Sequence, residues 1–201
     1  MSQAMITEPV ISAADTNEGW VNMFDGKSLA GWEALSNPHV WSVQDGVIVG
    51  RHTASVGDAF LPSLLFHMES RCRDFEMKAD IKLNHGGISS IYFRAAFVPQ
   101  FAPAYIAQAN NTGEYPQRTG SLYNFVPVYE QLVEDDTWWT QHVIAQGNHI
   151  RILVNGVETV NFVDTESTHT EGYLALLHFI PGSMVQFRNL MMRKLDWSTL
   201  K

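Results

Sequence analysis

The stretch "IRILVNGVETVNFV", residues 150–163, decides the fold class of this chain. Two runs rich in β-branched residues lie on either side of Asn155 and Gly156. Asn-Gly readily adopts the two positive φ angles of a type I′ turn, which joins two antiparallel strands through only two residues. The stretch therefore predicts a β-hairpin.

Two more stretches extend this pattern. "WSVQDGVIVGR", residues 41–51, carries Asp45 and Gly46 between alternating apolar residues and predicts a second hairpin. In "RDFEMKADIKL", residues 73–83, apolar and charged residues alternate almost without exception. Because successive side chains of a strand point to opposite faces, this predicts a strand with one face in the core and the other in solvent. The core face would hold Phe75, Met77, Ala79, Ile81 and Leu83.

Five further short runs predict strands, separated by clusters of Gly, Pro, Asn or Asp. They are "SSIYFRAAF", "AYIAQA", "TWWTQHVIAQ", "YLALLHF" and "SMVQFRNLMMRKL". Helix is a minor element, with one or two turns expected in "EQLVEDDTWWTQ", residues 130–141. The pattern predicts an all-β protein, a two-sheet antiparallel sandwich or jelly roll with minor helix. We expect a single domain over residues 20–201, preceded by a flexible N-terminal arm over residues 1–19.

The charge of the chain limits its partners. Thirteen Lys and Arg stand against 21 Asp and Glu, so the net charge is −8 and the surface repels phosphate backbones and anionic lipid. No apolar run approaches the roughly 18 residues of a transmembrane helix, and the N-terminal residues lack the basic start of a secretory signal. We expect no nucleic-acid or membrane partner and a cytoplasmic location, or a periplasmic one if a signal was removed. A homo-oligomer stays open.

One predicted strand carries polar side chains of interest. In "NHGGISSIYFRA", residues 84–95, a core position for Ile91 and Phe93 would place Tyr92 and Arg94 together on the opposite face. A tyrosine ring beside a guanidinium suits a sugar, because the ring offers an apolar platform and the guanidinium donates several hydrogen bonds. From the residues alone, an arginine on a surface strand paired with an acid across the sheet is the preferred interpretation.

The order of several motifs resembles the 3-keto-disaccharide hydrolase family, a concanavalin A-like jelly roll that acts on sugars oxidised at C3. The matching motifs include "MFDGKSLAGWE", "DFEMKADIKL", "GGISSIYFRA", "TGSLYNF", "GYLALLHF" and "VQFRNLMMRKL". The resemblance implies a carbohydrate-active enzyme that cleaves or hydrates 3-keto-glycosides. The chain departs from the family pattern at Ile106, where an acidic residue is usual, and at Leu177, where a polar residue is expected before the late-strand histidine.

The resemblance also selects the site residues. His178 matches the family's late-strand histidine, although a histidine among leucines is more often part of the core. The predicted catalytic residues are His178, Arg94 and His85, and the predicted substrate-binding residues are Tyr92, Gln108 and Tyr123. The glycines after His85 would let the chain turn and bring this side chain to the rim of the site.

The chemistry that this family implies needs a base and a stabilised oxyanion. A ketone at C3 acidifies the proton on C2, so a base can remove it and the enediolate can expel the group on C1. His178 or His85 suits the base, and Arg94 suits the oxyanion. Addition of water to the resulting enone completes net hydrolysis.

Cofactor and rival functions stay open at this level. The eight histidines form no H-x-H or H-E-x-x-H motif, so no cofactor is assigned, and any divalent metal ion would have to be held by residues from separate strands. One rival is a non-catalytic carbohydrate-binding module on the same fold. Another is an assembly module that associates through Trp138 or Trp139.

Overall fold

The computed structural model describes residues 19–52 and 61–195. The predicted N-terminal arm therefore lies outside the described residues, except for Gly19. The strands of the described residues are β1 (Val21–Asn22), β2 (Trp32–Leu35), β3 (Trp41–Gln44), β4 (Val47–Arg51), β5 (Ser63–Cys72), β6 (Phe75–Leu83), β7 (Ser89–Ala95), β8 (Tyr105–Ala109), β9 (Trp139–Gln146), β10 (His149–Val154), β11 (Val157–Val163), β12 (Gly172–His178) and β13 (Met184–Lys194).

These strands form two antiparallel sheets, which confirms the predicted all-β sandwich. The larger sheet has the order β11-β10-β9-β6-β13-β4-β3, and β1 pairs with β13. The five-stranded sheet has the order β2-β5-β12-β7-β8. Some neighbouring strands are joined by hairpins, but β12 pairs with β5 and β7 from distant parts of the chain. This long-range pairing brings the polar residues of β7 and β8 beside the end of β12.

The two sheets enclose one continuous core. All five apolar residues of the β6 alternation are fully buried there, as predicted. Ile91 and Phe93 of β7 and Leu176 of β12 belong to the same core. Because neighbouring residues of a strand alternate between faces, Tyr92 and Leu177 must face away from the larger sheet.

Both predicted hairpins are present. Asn155 and Gly156 have φ angles of 48° and 81° between β10 and β11, and Asp45 and Gly46 have 49° and 77° between β3 and β4. Positive φ at both central residues is the signature of the type I′ turn that the Asn-Gly and Asp-Gly dipeptides favour.

The helical turns expected within residues 130–141 are absent. This segment forms turns and then enters β9, and Asp136 has a φ of 54°, which interrupts a right-handed helix. Within the described ranges the helical element is one 3₁₀ turn, Pro38–Val40, and no helix there is long and apolar enough to cross a membrane.

Strand β5 lies between β2 and β12 in the five-stranded sheet, although its sequence shows no alternation. Leu64, Leu65 and Phe66 are all fully buried, so the strand is covered on both faces and reads as a continuous apolar run. Leu65 packs in the core between the sheets. Leu64 and Phe66 belong to a second set of buried residues on the far side of the sheet.

We call this second set the outer apolar cluster. It consists of Leu64, Phe66, Tyr92, Ala95, Ala102, Ala175 and Leu177. These residues come mainly from β5, β12 and β7 and are covered by loops, since the larger sheet lies on the opposite side. The five-stranded sheet is therefore apolar on both faces.

A bulge interrupts the pairing of β7 with β12. Ala175 pairs with Tyr92 whereas Tyr173 pairs with Ala95, so β7 has one extra residue between these pairs. Arg94 lies in this interval and has a φ of 50°. Gly172 packs so closely against the bulge that a Cβ atom there would lie 2.4 Å from the Arg94 carbonyl carbon.

Replacing Gly172 with alanine should therefore destabilise the protein strongly. The new methyl group would meet backbone atoms, which cannot move without breaking the sheet, and we expect the free energy of unfolding to fall by about 3 kcal/mol, as in severe overpacking. Gly147→Ala is the control, because nothing lies within 4 Å of its Cβ position and only its φ of +58° opposes the change. That variant should lose about 1 kcal/mol. Urea denaturation measures both, and equal losses would contradict the close packing at the bulge.

Candidate functional site

A cavity of about 210 Å³ opens on the outer face of the five-stranded sheet. Eleven residues line it: Ile88, Ser90, Tyr92, Phe101, Ala102, Ile106, Gln108, Tyr115, Tyr123, Leu177 and Phe179. Its floor comes from β7, β8 and β12, and its walls come from the connections between strands. Of the predicted site residues, the structure brings together Tyr92, Gln108 and Tyr123.

The floor follows the strand register. Ser90 of β7 lies opposite Leu177 of β12 on one side and opposite Gln108 of β8 on the other. In the adjacent row, Tyr92 lies opposite Ile106. Tyr123 is held beyond the edge of β8, because its backbone N–H donates to the Ile106 carbonyl over 2.9 Å.

A pair of buried polar side chains lies in this floor. Ser90 Oγ donates to Gln108 Oε1 over 2.9 Å, and both residues are almost fully buried. Among the described residues, Gln108 Nε2 has no hydrogen-bond acceptor, so its N–H groups can serve a ligand. This nitrogen is open to the cavity, so a ligand oxygen could take the place of water as its acceptor.

The tyrosine hydroxyls add neutral donors. Burial, and to a lesser extent the nearby Tyr123, raise the pKa of Tyr92 to about 12. The Tyr92 phenol therefore stays protonated at neutral pH and can donate a hydrogen bond. It is not poised to remove a proton.

None of the eleven lining side chains is acidic or basic. Ile106 stands in the place where the family pattern has an acid, which contributes to this neutrality. The described lining thus combines aromatic faces with neutral hydrogen-bonding groups. Such a surface suits a neutral ligand.

Arg94 does not share the face of Tyr92, so the predicted pairing of these two side chains is wrong. The bulge turns the Arg94 side chain toward the end of the sandwich, where this side chain is 1% exposed. Its Nη2 lies 3.4 Å from Asp74 Oδ1. Its Nε donates to the Arg73 carbonyl over 2.8 Å, and its Nη1 donates to the His169 carbonyl over 3.0 Å. The guanidinium ties three segments together. An acidic partner was the alternative expected from the residues alone, but Asp74 lies in the turn between β5 and β6 and not across the ladder from Arg94, and the pair is buried.

His178 also lies away from the cavity, contrary to its predicted catalytic position. Its neighbour Leu177 lines the cavity, so His178 points to the opposite side of the sheet, where it is fully buried. Its Nε2 lies 3.1 Å from the Ser183 carbonyl oxygen, and its ring meets Trp41 edge-on. Burial lowers the pKa of His178, so the imidazole is neutral at physiological pH, as expected of a core histidine.

His85 is not among the residues that line the cavity. Its side chain is 83% exposed, and its Nδ1 lies 2.8 Å from Asp135 Oδ2. Thr112 Oγ1 donates to the same oxygen over 2.7 Å. Three residues after His85 comes Ile88, and three residues after Thr112 comes Tyr115, and both of these line the cavity.

Several site residues escaped the reading of the sequence. Asp135 is 50 positions from His85, and no spacing rule joins them. Phe101, Tyr115 and Phe179 lie in loops, where strand periodicity gives no direction. Their signal is compositional, since each is an aromatic residue in a segment rich in Pro, Gly or Asn.

The structure also bears on a metal site and on assembly through Trp138 or Trp139, which the sequence left open. Across residues 19–52 and 61–195, no three His, Cys, Asp or Glu side chains are grouped as a metal site would require. Trp139 is fully buried and donates to Gln141, so it is unavailable for assembly. Trp138 is half-buried, with the Arg188 guanidinium 4.1 Å from its ring centre.

Comparison with known proteins identifies relatives of this chain. A family model described as the 3-keto-alpha-glucoside-1,2-lyase-like domain matches residues 19–193. A 3-keto-disaccharide hydrolase of Bacteroides thetaiotaomicron is 25% identical over 152 residues, which cover 62% of this chain and 51% of that protein. The chain thus spans about half the length of this curated relative.

Two solved structures show a similar fold. A candidate glycosyl hydrolase from Parabacteroides distasonis has a TM-score of 0.75 and 20% identity, over 94% of this chain and 100% of that chain. The carbohydrate-binding module CBM66 from Bacillus subtilis has a TM-score of 0.58 and 15% identity, over 82% of this chain and 96% of that chain. At these identities the likeness establishes the fold alone.

The buried position of Arg94 predicts that Arg94→Lys reduces stability. Lysine cannot reproduce the planar fork that reaches two carbonyls and Asp74, and disturbing a buried ion pair costs about 3 kcal/mol. Arg73→Lys is the control, because the Arg73 side chain is exposed, and it should change the free energy of unfolding by less than about 0.5 kcal/mol. Urea denaturation distinguishes the two variants. If Arg94→Lys kept full stability and lost only the response to a sugar, Arg94 would belong to the site after all.

Proposed function

The chain belongs to the family of 3-keto-alpha-glucoside-1,2-lyase-like domains, and on this premise we propose that its cavity binds one sugar ring of a glycoside. The observation that carries the proposal is the Ser90–Gln108 pair buried among aromatic side chains. The cavity volume of about 210 Å³ is smaller than the roughly 300–1,000 Å³ of sites for drug-sized ligands, and it suits a single ring.

The chemistry of a pyranose matches this lining. The axial C–H groups of a sugar form an apolar face that packs on an aromatic ring, as Tyr92 or Tyr123 can provide. Its hydroxyl groups need hydrogen-bond partners, and Gln108 Nε2 together with the tyrosine hydroxyls can supply them. A sugar is uncharged, which agrees with a lining that has no acidic or basic residue.

Cleavage of a 3-keto-glycoside is the second candidate function, and the His85–Asp135 pair favours it. With Asp135 accepting from Nδ1, the His85 Nε2 lone pair is oriented outward and can act as a base. The base would take the C2 proton, the C2–H electrons would form the enediolate, and the C1–O bond would break with protonation of the leaving oxygen. Water would then add to the enone.

In this mechanism the neutral donors of the cavity take the role that Arg94 cannot fill. Gln108 Nε2 and the protonated Tyr92 hydroxyl can donate hydrogen bonds to the developing oxyanion at C3. The raised pKa of Tyr92 keeps that donor protonated through the reaction. A divalent metal ion at the same oxygen would serve the same purpose, so the assay includes metals.

Removal of the Gln108 donor should weaken sugar binding. We expect Gln108→Leu to raise the Kd for methyl glucosides and their 3-keto derivatives about tenfold, equivalent to one hydrogen bond of about 1.4 kcal/mol. Gln44→Leu is the matched control, because Gln44 is exposed on the larger sheet. Saturation-transfer NMR registers affinities in the millimolar range. Binding that is absent in the unaltered protein, or equal in Gln108→Leu, would contradict the proposal.

Removal of His85 should separate binding from turnover. In the catalytic case His85→Asn lowers kcat toward 3-keto-glucosides by about 10² or more, the usual contribution of a general base, while sugar binding is retained. His149→Asn is the control, since His149 lies on β10 in the other sheet. Product release is followed with and without divalent metals. If the unaltered protein binds every 3-keto-glucoside of the panel and converts none, the domain is a binding module.

A further inference from the structure

We propose that the glycoside recognised by this cavity carries an apolar aglycone, an aromatic or short alkyl group, seated on the wall formed by Phe101, Tyr115 and Phe179. The inference rests on the proposed sugar binding and names the class of ligand. We call these three residues the aromatic rim. Four observations support the assignment.

The polarity of the cavity changes from one side to the other. On the β8 side, Gln108 and Tyr123 offer hydrogen-bonding groups, and Ser90 supports Gln108 from the centre of the floor. On the β12 side, Leu177 and then Phe179 have apolar side chains only. A ligand that satisfies both sides has a polar half and an apolar half.

The aromatic rim stands open to solvent at the apolar side. Phe101 is 64% exposed and Tyr115 is 43% exposed, although both line the cavity. Their rings pack against Phe179, with centroids 6.3 Å and 5.7 Å away. Exposed aromatic rings grouped around a cavity mark a surface that gains by being covered.

The apolar surface continues beyond the cavity. Phe97, in the same connection as Phe101, is 37% exposed and packs on Phe66 of the outer apolar cluster with centroids 5.0 Å apart. Val98 in that connection is 40% exposed. Exposed apolar side chains are therefore found at several positions of the β7–β8 connection, and Phe101 is one of them.

A second sugar ring would gain less from this wall than an apolar group does. Its C–H face could stack on one ring, but among the three rim side chains only the Tyr115 hydroxyl could replace the water lost by its hydroxyl groups. An aryl or alkyl group loses no hydrogen bond there and gains from burial of apolar surface. The rim thus discriminates between a glycoside with an apolar aglycone and a disaccharide.

The test compares ligands that share one sugar. Calorimetric titration of the full chain uses methyl, hexyl and phenyl β-glucosides, cellobiose and the 3-keto derivatives of all four. We expect the Kd of the hexyl and phenyl compounds to be at least tenfold below that of the methyl compound. Cellobiose should bind no better than the methyl compound. The inference is overturned if the disaccharide binds as tightly as the phenyl glucoside, or if methyl and phenyl glucosides bind equally. The proposed sugar binding fails separately, if no glycoside binds or if phenol and hexanol bind as tightly as their glucosides.

A matched pair of variants locates the aglycone. Phe101→Ser should reduce the advantage of phenyl over methyl glucoside to less than threefold. An unchanged circular-dichroism spectrum and an unchanged urea midpoint show that the variant is folded. Tyr129→Ser is the control, because Tyr129 is 66% exposed and lies outside the lining. Tyr129→Ser should keep the full tenfold difference in Kd between methyl and phenyl glucoside. An undiminished advantage in Phe101→Ser would overturn the assignment of the aglycone to the aromatic rim.

Discussion

The architecture depends on burying a sheet that is apolar on both faces. Strands β5, β7 and β12 place Leu65, Ile91 and Leu176 toward the larger sheet and Leu64 and Leu177 toward the other side. A second sheet covers the first face completely. The second face is covered only by loops, and because loops cover a flat surface incompletely, a cavity remains where the β7–β8 connection and the segment around Tyr115 meet. The site is thus a consequence of how the sheet is enclosed.

The bulge in β7 decides the electrostatic character of that site. A regular strand would place Arg94 on the face of Tyr92, as strict alternation requires. The extra residue instead sends the guanidinium to Asp74 and to the carbonyls of Arg73 and His169, where it ties loops to the sandwich. A single backbone angle therefore converts an expected cationic site into a neutral one, and the chemistry open to the domain changes accordingly.

Predictions from the sequence were correct where neighbouring residues alone determine the backbone conformation or the face of a strand. Asn-Gly and Asp-Gly dictate their turns, and period two correctly placed the β6 residues in the core and set Tyr92 apart from Ile91. It failed at Arg94, because the backbone of the bulge packs against a distant glycine, Gly172, which comes near it only in the fold. For His178 the alternation itself pointed to the core, and the resemblance to a family outweighed that indication. Strand β5 was missed because burial on both faces removes the alternation that marks a strand.

The β7–β8 connection serves the scaffold and the cavity at once. It carries Ala102, a buried member of the outer apolar cluster, and Phe97, whose ring packs on Phe66. It also carries Phe101, which is largely open to solvent beside the cavity. A segment grafted between Phe93 and Tyr105 would have to keep an apolar cover over the sheet, so a change of ligand is reached with less disturbance at Phe101 than by replacing the whole loop.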